Sequence, residues 1–254
     1  VGQGRRQAII LGVRVDDVTL PEAVDRVVDW SAGAVPRLVV TPNPEFVMAA
    51  RRDPAFRAIL NGAALAVPDG VGLLWAARLL GEPLRTTVPG VALVEALAPR
   101  AAALGQRWFL LGARAGVAAE AGRRLAARHP GLTIAGTLAG EPGPAGDAAA
   151  LAALRAAAPV NLLLVAYGAP RQEAWLARNL AASGVPVGIG VGGTFDFLAG
   201  VSRRPPGWVQ RAGFGWLFRL VNEPWRWRRQ LALPQFAGLV LAAALRRRVH
   251  RQPT

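Results

Sequence analysis

Short apolar runs alternate along this chain with longer Ala/Leu/Arg segments of helical period. The runs predict strands over 8–15, 37–41, 63–67, 108–112, 132–137, 161–166 and 187–191. The longer segments predict helices over 22–31, 54–60, 71–80, 91–104, 116–129, 147–157 and 170–183. Strands joined by crossover helices imply an α/β fold: a Rossmann-like, mostly parallel sheet covered by helices on both faces. Such sheets hold ligands outside the carboxyl ends of their strands. The residues just after each run are therefore where chemistry is expected.

Five of those junctions are rich in Gly and polar residues: Thr41-Pro42-Asn43-Pro44-Glu45, Pro68-Asp69-Gly70-Val71-Gly72, Gly112-Ala113-Arg114-Ala115-Gly116, the stretch from Tyr167 to Glu173, and Gly190-Val191-Gly192-Gly193-Thr194-Phe195-Asp196. On one rim they would wall a site drawn from the whole chain. Beyond Gly200 the pattern changes. Trp208, Trp216, Trp225 and Trp227 interleave with Arg, and Pro205, Pro206, Pro224 and Pro234 are expected to cut the segment into short helices. The expected organisation is a 1–200 core and a 201–254 helical, basic, Arg/Trp-rich C-terminal appendage.

Composition narrows the function classes. At 254 residues and 52% hydrophobic, the chain can bury a large core, which excludes intrinsic disorder. It has no Cys, so disulfides, thiolate nucleophiles and Cys-based zinc sites are excluded. The two His, His129 and His250, lack partners at metal-ligand spacing. The net charge is +14 and every cation is Arg. An Arg-only cation set also follows from genome base composition, so placement is more telling than the total. From Val201 onward, eleven Arg face one acid, Glu223, while the rest of the chain is close to balanced. Such a tail attracts nucleic acid or an anionic lipid surface. The longest apolar candidate, 236–245, is about half of the roughly 18–20 residues that span a bilayer. The expectation is a cytoplasmic protein, peripheral on the inner face of the cell membrane.

Each junction has a functional and a local structural reading. Gly112 and Gly116 let backbone N–H groups approach a phosphate at a helix N-terminus, or simply make a tight turn. Gly192 and Gly193 permit backbone shapes closed to other residues, beside a Thr194 hydroxyl and an Asp196 carboxylate able to accept from a ribose hydroxyl or a base N–H; a strand-ending bulge is the alternative. Asp69 is either a general base on a short turn or the N-cap of the next helix, the cap being favoured by spacing alone. Thr41 and Asn43, stiffened by Pro42 and Pro44, are site residues or caps on equal terms. The Gln172 amide suits sugar or phosphate oxygens, and Glu173 suits a helix dipole. The Arg/Trp tail fits a membrane interface, single-stranded nucleic acid or a protein interface.

Together, and in order, these stretches resemble the WecG/TagA/CpsF glycosyltransferase family, family twenty-six of the inverting enzymes. The likeness also takes in the stretch from Phe109 to Ala113, His129-Pro130-Gly131-Leu132, Trp208-Val209-Gln210-Arg211 and Glu223-Pro224. The resemblance implies transfer of a hexose (N-acetylmannosamine, glucose or uronic acid type) from a UDP-sugar to an undecaprenyl-diphosphate-linked sugar, with inversion and without a metal or other cofactor. It implies Asp69 as base, Thr41 and Asn43 in the pocket, Gln172 at the site, and nucleotide held by Gly192, Gly193 and Thr194 with Asp196 at the uridine. Gly112 and Ala113 join the substrate-binding set, and Arg219, Arg226 and Arg229 are its candidates for the donor diphosphate. An anionic membrane surface is the implied partner; nucleic acid is not, and a homo-oligomer stays open.

Two departures stand out. Where the family usually has Arg-Val-x-Gly-x-Asp, this chain has Thr87 at the Arg place and Ala92 at the Asp place, leaving Arg85 or a tail Arg as substitutes. The family's His-His-Gly-Tyr-like stretch is Leu138-Ala139-Gly140-Glu141 here. The rival from another class is a non-catalytic basic module for nucleic acid, which explains the tail but not five polar loops. An NAD-dependent dehydrogenase lacks its full dinucleotide fingerprint here.

Overall fold

The structure is a computed structural model describing residues 6–202, 217, 218, 220 and 231–249. The first apolar run, expected as one strand, is a hairpin. Strands β1 (Gln7–Ile10) and β2 (Val13–Asp16) pair antiparallel around Leu11 and Gly12, both at positive φ. Buried positions shift from even numbers (Ala8, Ile10) to odd ones (Val13, Val15) across the turn, a reversal that the near-continuous apolar run over 8–13 conceals in the sequence. Ala8, Ile10, Val13 and Val15 are fully buried. Asp16 ties the hairpin to the main sheet by accepting from the Ala66 N–H at 2.8 Å.

Helix α1 (Leu20–Ser31) opens with a capping box between Thr19 and Glu22. Strand β3 (Arg37–Val40) follows, and then helix α2 (Pro44–Arg52), which is not among the predicted helices. Helix α3 (Pro54–Gly62) is capped by Asp53. The order continues as β4 (Leu65–Ala66), α4 (Val71–Leu79), α5 (Gly90–Ala103), β5 (Arg107–Gly112), α6 (Val117–Arg128), β6 (Thr133–Leu138), α7 (Pro144–Ala156), β7 (Leu162–Ala166), α8 (Arg171–Ser183), β8 (Val187–Gly190) and α9 (Thr194–Leu198).

The main sheet has six parallel strands in the order β4-β3-β8-β7-β5-β6. Strands β7 and β8 are buried at every position, as expected where helices cover both faces. One face packs α1, α5 and α6 through Val24, Val27, Leu93, Leu97 and Leu125. The other packs α7 and α8 through Leu154, Trp175, Leu176 and Leu180. The fold is thus α/β and Rossmann-like. After β5 the chain turns outward to edge strand β6; after β7 it turns the other way to β8. The loops leaving β5 and β7 diverge, and that divergence opens a crevice at the carboxyl edge.

The last described helix, α10 (Ala232–Val249), is eighteen residues long. Proline was expected to break this region, but Pro234 sits in the first turn, where a missing N–H has no helical partner to lose. Phe236, Val240 and Ala244, four residues apart, are buried in the same apolar cluster as the hairpin, and α10 packs on α2 and α4. Arg52 reaches Gln235 at 3.1 Å, and Arg247 donates to the Leu80 carbonyl at 2.7 Å and to Glu82 at 2.8 Å. The helix therefore shares a core with the first 200 residues. No helix among the described residues is long and apolar enough to cross a membrane.

Candidate active site

All five polar junctions lie at the carboxyl edge of the sheet and line one cleft of about 2010 Å³. Pockets for one small molecule run to roughly 300–1,000 Å³, so this cleft has room for two substrates. It brings together Thr41, Asn43, Asp69, Ala113, Gln172, Gly192, Gly193, Thr194 and Asp196.

One wall is built on backbone turns; Ala113 lines the cleft there and Gly112 does not. Gly112 has φ of 103°, and a Cβ there would stand 2.8 Å from the Ala166 carbonyl carbon. Only glycine fits that conformation against the neighbouring strand. Ala113, also at positive φ, donates its N–H to the Ala166 carbonyl at 3.0 Å, and Gly116 in left-handed conformation starts α6. The loops after β7 and β8 are held by one side chain. Gln172 is buried, and its Oε1 accepts from the N–H groups of Gly168 and Gly192, both at 3.0 Å. Its Nε2 donates to Glu173 Oε1 at 2.7 Å. The Gln172 carboxamide thus acts as a bracket between loops rather than as a group aimed at a ligand.

Glu173 is fully buried, and its second oxygen has no hydrogen-bond partner among the described residues. Burial pushes its carboxyl up to about 7, against a smaller opposing pull from the Gln172 hydrogen bond. Glycine at 190 makes room for the pair, since a Cβ there would lie 2.7 Å from Glu173 Oε1 and 2.8 Å from Gln172 Nε2. Two hydroxyls are likewise spent on backbone. Thr194 donates to the Val191 carbonyl at 2.7 Å, and Thr41 donates to the Gly190 carbonyl at 3.4 Å. Asn43 caps α2, accepting from the Phe46 N–H at 3.0 Å, which leaves its NH₂ group unused by the cap.

Asp69 is placed differently. Its backbone N–H donates to the Pro42 carbonyl at 2.9 Å, and the preceding Pro68 carbonyl accepts from Val88 at 2.7 Å. Asp69 is therefore pinned where the loops after β3 and β4 meet the start of α5. The N-cap of α4 is Gly70, at φ 94°, so the capping position considered for Asp69 belongs to its neighbour. Asp69 is half-buried and lines the cleft.

The cations sort themselves by geometry. Arg85 uses its guanidinium on Asp17 and Glu22, with contacts of 2.7–3.0 Å, which takes it away from the role open to it as a substitute for Thr87. Arg85 in turn holds the Glu22 carboxyl at about 2. Thr87 and Ala92 line the cleft. Arg219, Arg226 and Arg229 lie outside the described residues. Among the described residues Arg85 lines the cleft together with three other arginines: Arg52, which bonds to Gln235, Arg114, 3.6 Å from Asp196, and Arg171. Arg114 and Arg171 sit inside the junctions quoted from the sequence but are not among its candidate site residues. Arg171 had a signal, because a cation in the first turn of a helix opposes the helix dipole. Among the described residues no three His, Asp or Glu side chains converge as a metal-ligand set.

A parallel sheet with a glycine-walled cleft at its carboxyl edge is the architecture of nucleotide-using enzymes. The chain belongs to the glycosyl transferase WecG/TagA/CpsF family, whose model matches residues 8–250. It is 33% identical over 213 residues to the N-acetylglucosaminyldiphosphoundecaprenol N-acetyl-beta-D-mannosaminyltransferase of Bacillus spizizenii, covering 84% of this chain and 80% of that one. The Bacillus subtilis protein of the same name is 32% identical, covering 84% and 81%. A Staphylococcus aureus protein of that name is 29% identical over 232 residues, covering 89% of each chain.

Proposed function

We propose that this chain transfers a hexose from a UDP-sugar to a polyprenyl-diphosphate-linked sugar, with inversion at the anomeric carbon and Asp69 as general base. The observation that carries the reading is the position of Asp69: a carboxylate one residue before the Gly70 N-cap of α4, pinned by its backbone and lining a cleft with room for two substrates. The relatives' names supply the acceptor class and make N-acetylmannosamine the first sugar to test.

In the proposed step the acceptor hydroxyl gives its proton to the Asp69 carboxylate as its oxygen attacks the anomeric carbon. The bond from that carbon to the UDP oxygen breaks, and its electron pair leaves with the diphosphate. The Arg114 and Arg171 guanidinium groups stabilise the developing charge, joined by Arg219, Arg226 and Arg229 and by glycine-loop N–H groups other than those of Ala113, Gly168 and Gly192, which already donate within the protein. No resident metal or cofactor is invoked. The acceptor lipid places the enzyme at the inner face of the cell membrane.

Incubation with a panel of UDP-sugars and a short-chain lipid-diphosphate acceptor, followed by mass spectrometry, tests the reaction. Loss of the base is expected to slow turnover about 10²–10⁴-fold in Asp69→Asn; near-normal turnover would remove Asp69 from the mechanism. Thermal stabilisation by short oligonucleotides and not by UDP would favour the nucleic-acid module instead.

A further inference from the structure

The wall opposite the glycine loops exposes apolar side chains in an ordered pattern. On α4, Trp75 is 63% exposed and Leu79 42%; on α10, Leu241 is 53% and Leu245 61%. Four-residue spacing makes Val71, Trp75 and Leu79 one stripe and Ala237, Leu241 and Leu245 another. The opposite faces of both helices, through Leu73, Ala77, Val240 and Ala244, supply the core. The exposed stripes are therefore not needed to hold the helices in place. Exposed hydrophobics scattered singly need no explanation, but two adjoining stripes do.

The stripes have direction. Val71, Trp75, Leu79, Ala237 and Leu241 line the same cleft as Thr41 and Asp69, and Asp69 lies just before the start of α4. From Val71 to Leu79 the trough runs about 12 Å along the helix. Arg247 bonds to the Leu80 carbonyl, which fixes the carboxyl ends of α4 and α10 together. At that outer end Arg78 and Arg246 are exposed beside Leu79 and Leu245. A polar reacting end, an apolar middle and a cationic outer rim match a lipid drawn partly out of an anionic leaflet.

We infer that this trough seats the first isoprenoid units of the acceptor lipid and leads its diphosphate-linked sugar to Asp69. The inference rests on the transferase reading for the identity of the lipid. A flat bilayer does not enter a trough that descends into the cleft, and a second copy seated there would close the mouth through which the acceptor must pass.

The test uses the full chain and a polyprenyl diphosphate carrying a benzophenone on an isoprene unit near the diphosphate. Photocrosslinks are expected in peptides carrying Trp75, Leu79 and Leu241, and at least about tenfold weaker in Trp75→Ser/Leu241→Ser. In the same variant, KM for a long-chain acceptor should rise about tenfold or more, with turnover of a short-alkyl acceptor bearing the same diphospho-sugar unchanged. Equal loss on both acceptors, crosslinks elsewhere, or crosslinks undiminished in the variant would each overturn the seat. So would a concentration-dependent dimer that the double substitution dissolves while lipid crosslinking persists. Trough crosslinks in a wild-type chain that transfers no sugar would leave the seat standing and remove the transferase reading. Both side chains are exposed, so the variant should keep its fold; Leu79→Ser supplies an independent check by the same readouts.

Discussion

The two walls of the cleft are built on opposite plans. Around β5, β7 and β8 the surface is backbone, and the polar side chains that look like ligand contacts, Gln172, Thr194 and Thr41, turn inward to hold that backbone. Around α4 and α10 the backbone is sealed in helices and the apolar side chains Trp75, Leu79 and Leu241 face out. The first wall is tightly fixed, as a cradle for a charged group needs, since N–H donors act best when held in place beforehand. The second is open and non-directional, as suits a chain that must slide in and out. A polar side chain near a site can therefore shape it without touching a ligand, and an exposed tryptophan can belong to the site without any polar chemistry.

The difference is broken most severely at Gln172. Gln172→Ala would strip partners from the Gly168 and Gly192 amides and from Glu173 Oε1 together. Leaving buried groups unsatisfied costs roughly 1–3 kcal/mol each before water enters, so a loss of about 2–4 kcal/mol is expected in denaturant unfolding. Protection by UDP should weaken with it, while lipid crosslinking to α4 and α10 stays intact. Parallel loss of both would mean that the walls are not independent.

Much of this arrangement was legible in the residues. Strands β5, β7 and β8 read as apolar runs because both faces are covered, and the junctions after them do share a rim. The misses have local causes. The hairpin hid behind a near-continuous apolar run, 8–13, that carries its turn at Leu11-Gly12. Helix α2 opens at Pro44, inside the Pro42-Asn43-Pro44 turn read as a site junction, and ends at the Asp53-Pro54 break, so its residues fall between that junction and the next predicted helix. Helix α10 was obscured by Pro234, a breaker in an interior and harmless in a first turn. Within the site, residue identity could be read but partner could not. Nothing in the sequence says that the Gln172 amide reaches a loop twenty residues away, or that Gly70 takes the cap position and leaves Asp69 to the cleft.

Glu173 gives the backbone wall a pH dependence that the apolar wall lacks. Burial raises its carboxyl from the ordinary 4.5 to about 7. A raised acid favours the fold in its protonated form, so its contribution is complete below pH 4.5 and is lost as pH climbs through about 7. At about 1.36 kcal/mol per unit, the loss across that window is up to roughly 3 kcal/mol. Glu173→Gln keeps an acceptor for Gln172 and removes the titration. Its unfolding free energy, measured against the wild type from pH 4.5 to 7.5, should flatten by that amount; identical slopes would place the carboxyl in a wetter setting than its burial indicates. The partly exposed Glu22 and Glu120, both held at about 2 by arginines, act in the opposite sense and only as pH falls below 4.5.

The smallest effect separates stability from binding at one residue. Arg114 is 75% exposed and stands 3.6 Å from Asp196. An exposed pair at that distance contributes at most about 1 kcal/mol, so Arg114→Ala should leave the unfolding midpoint nearly unchanged. If its guanidinium meets the donor diphosphate, the same substitution removes a charge-assisted hydrogen bond and raises donor KM about tenfold, with KM for the lipid acceptor unaltered. A change in acceptor KM alone would move Arg114 to the other wall. No change in either would leave donor charge to the backbone amides, Arg171 and the arginines beyond residue 202. Asp196 sharpens the result. With Arg114 gone its carboxylate would stand beside a diphosphate with one cation fewer, so Asp196→Asn in the Arg114→Ala background should recover part of the donor affinity. That recovery would place both side chains on the nucleotide side of the cleft.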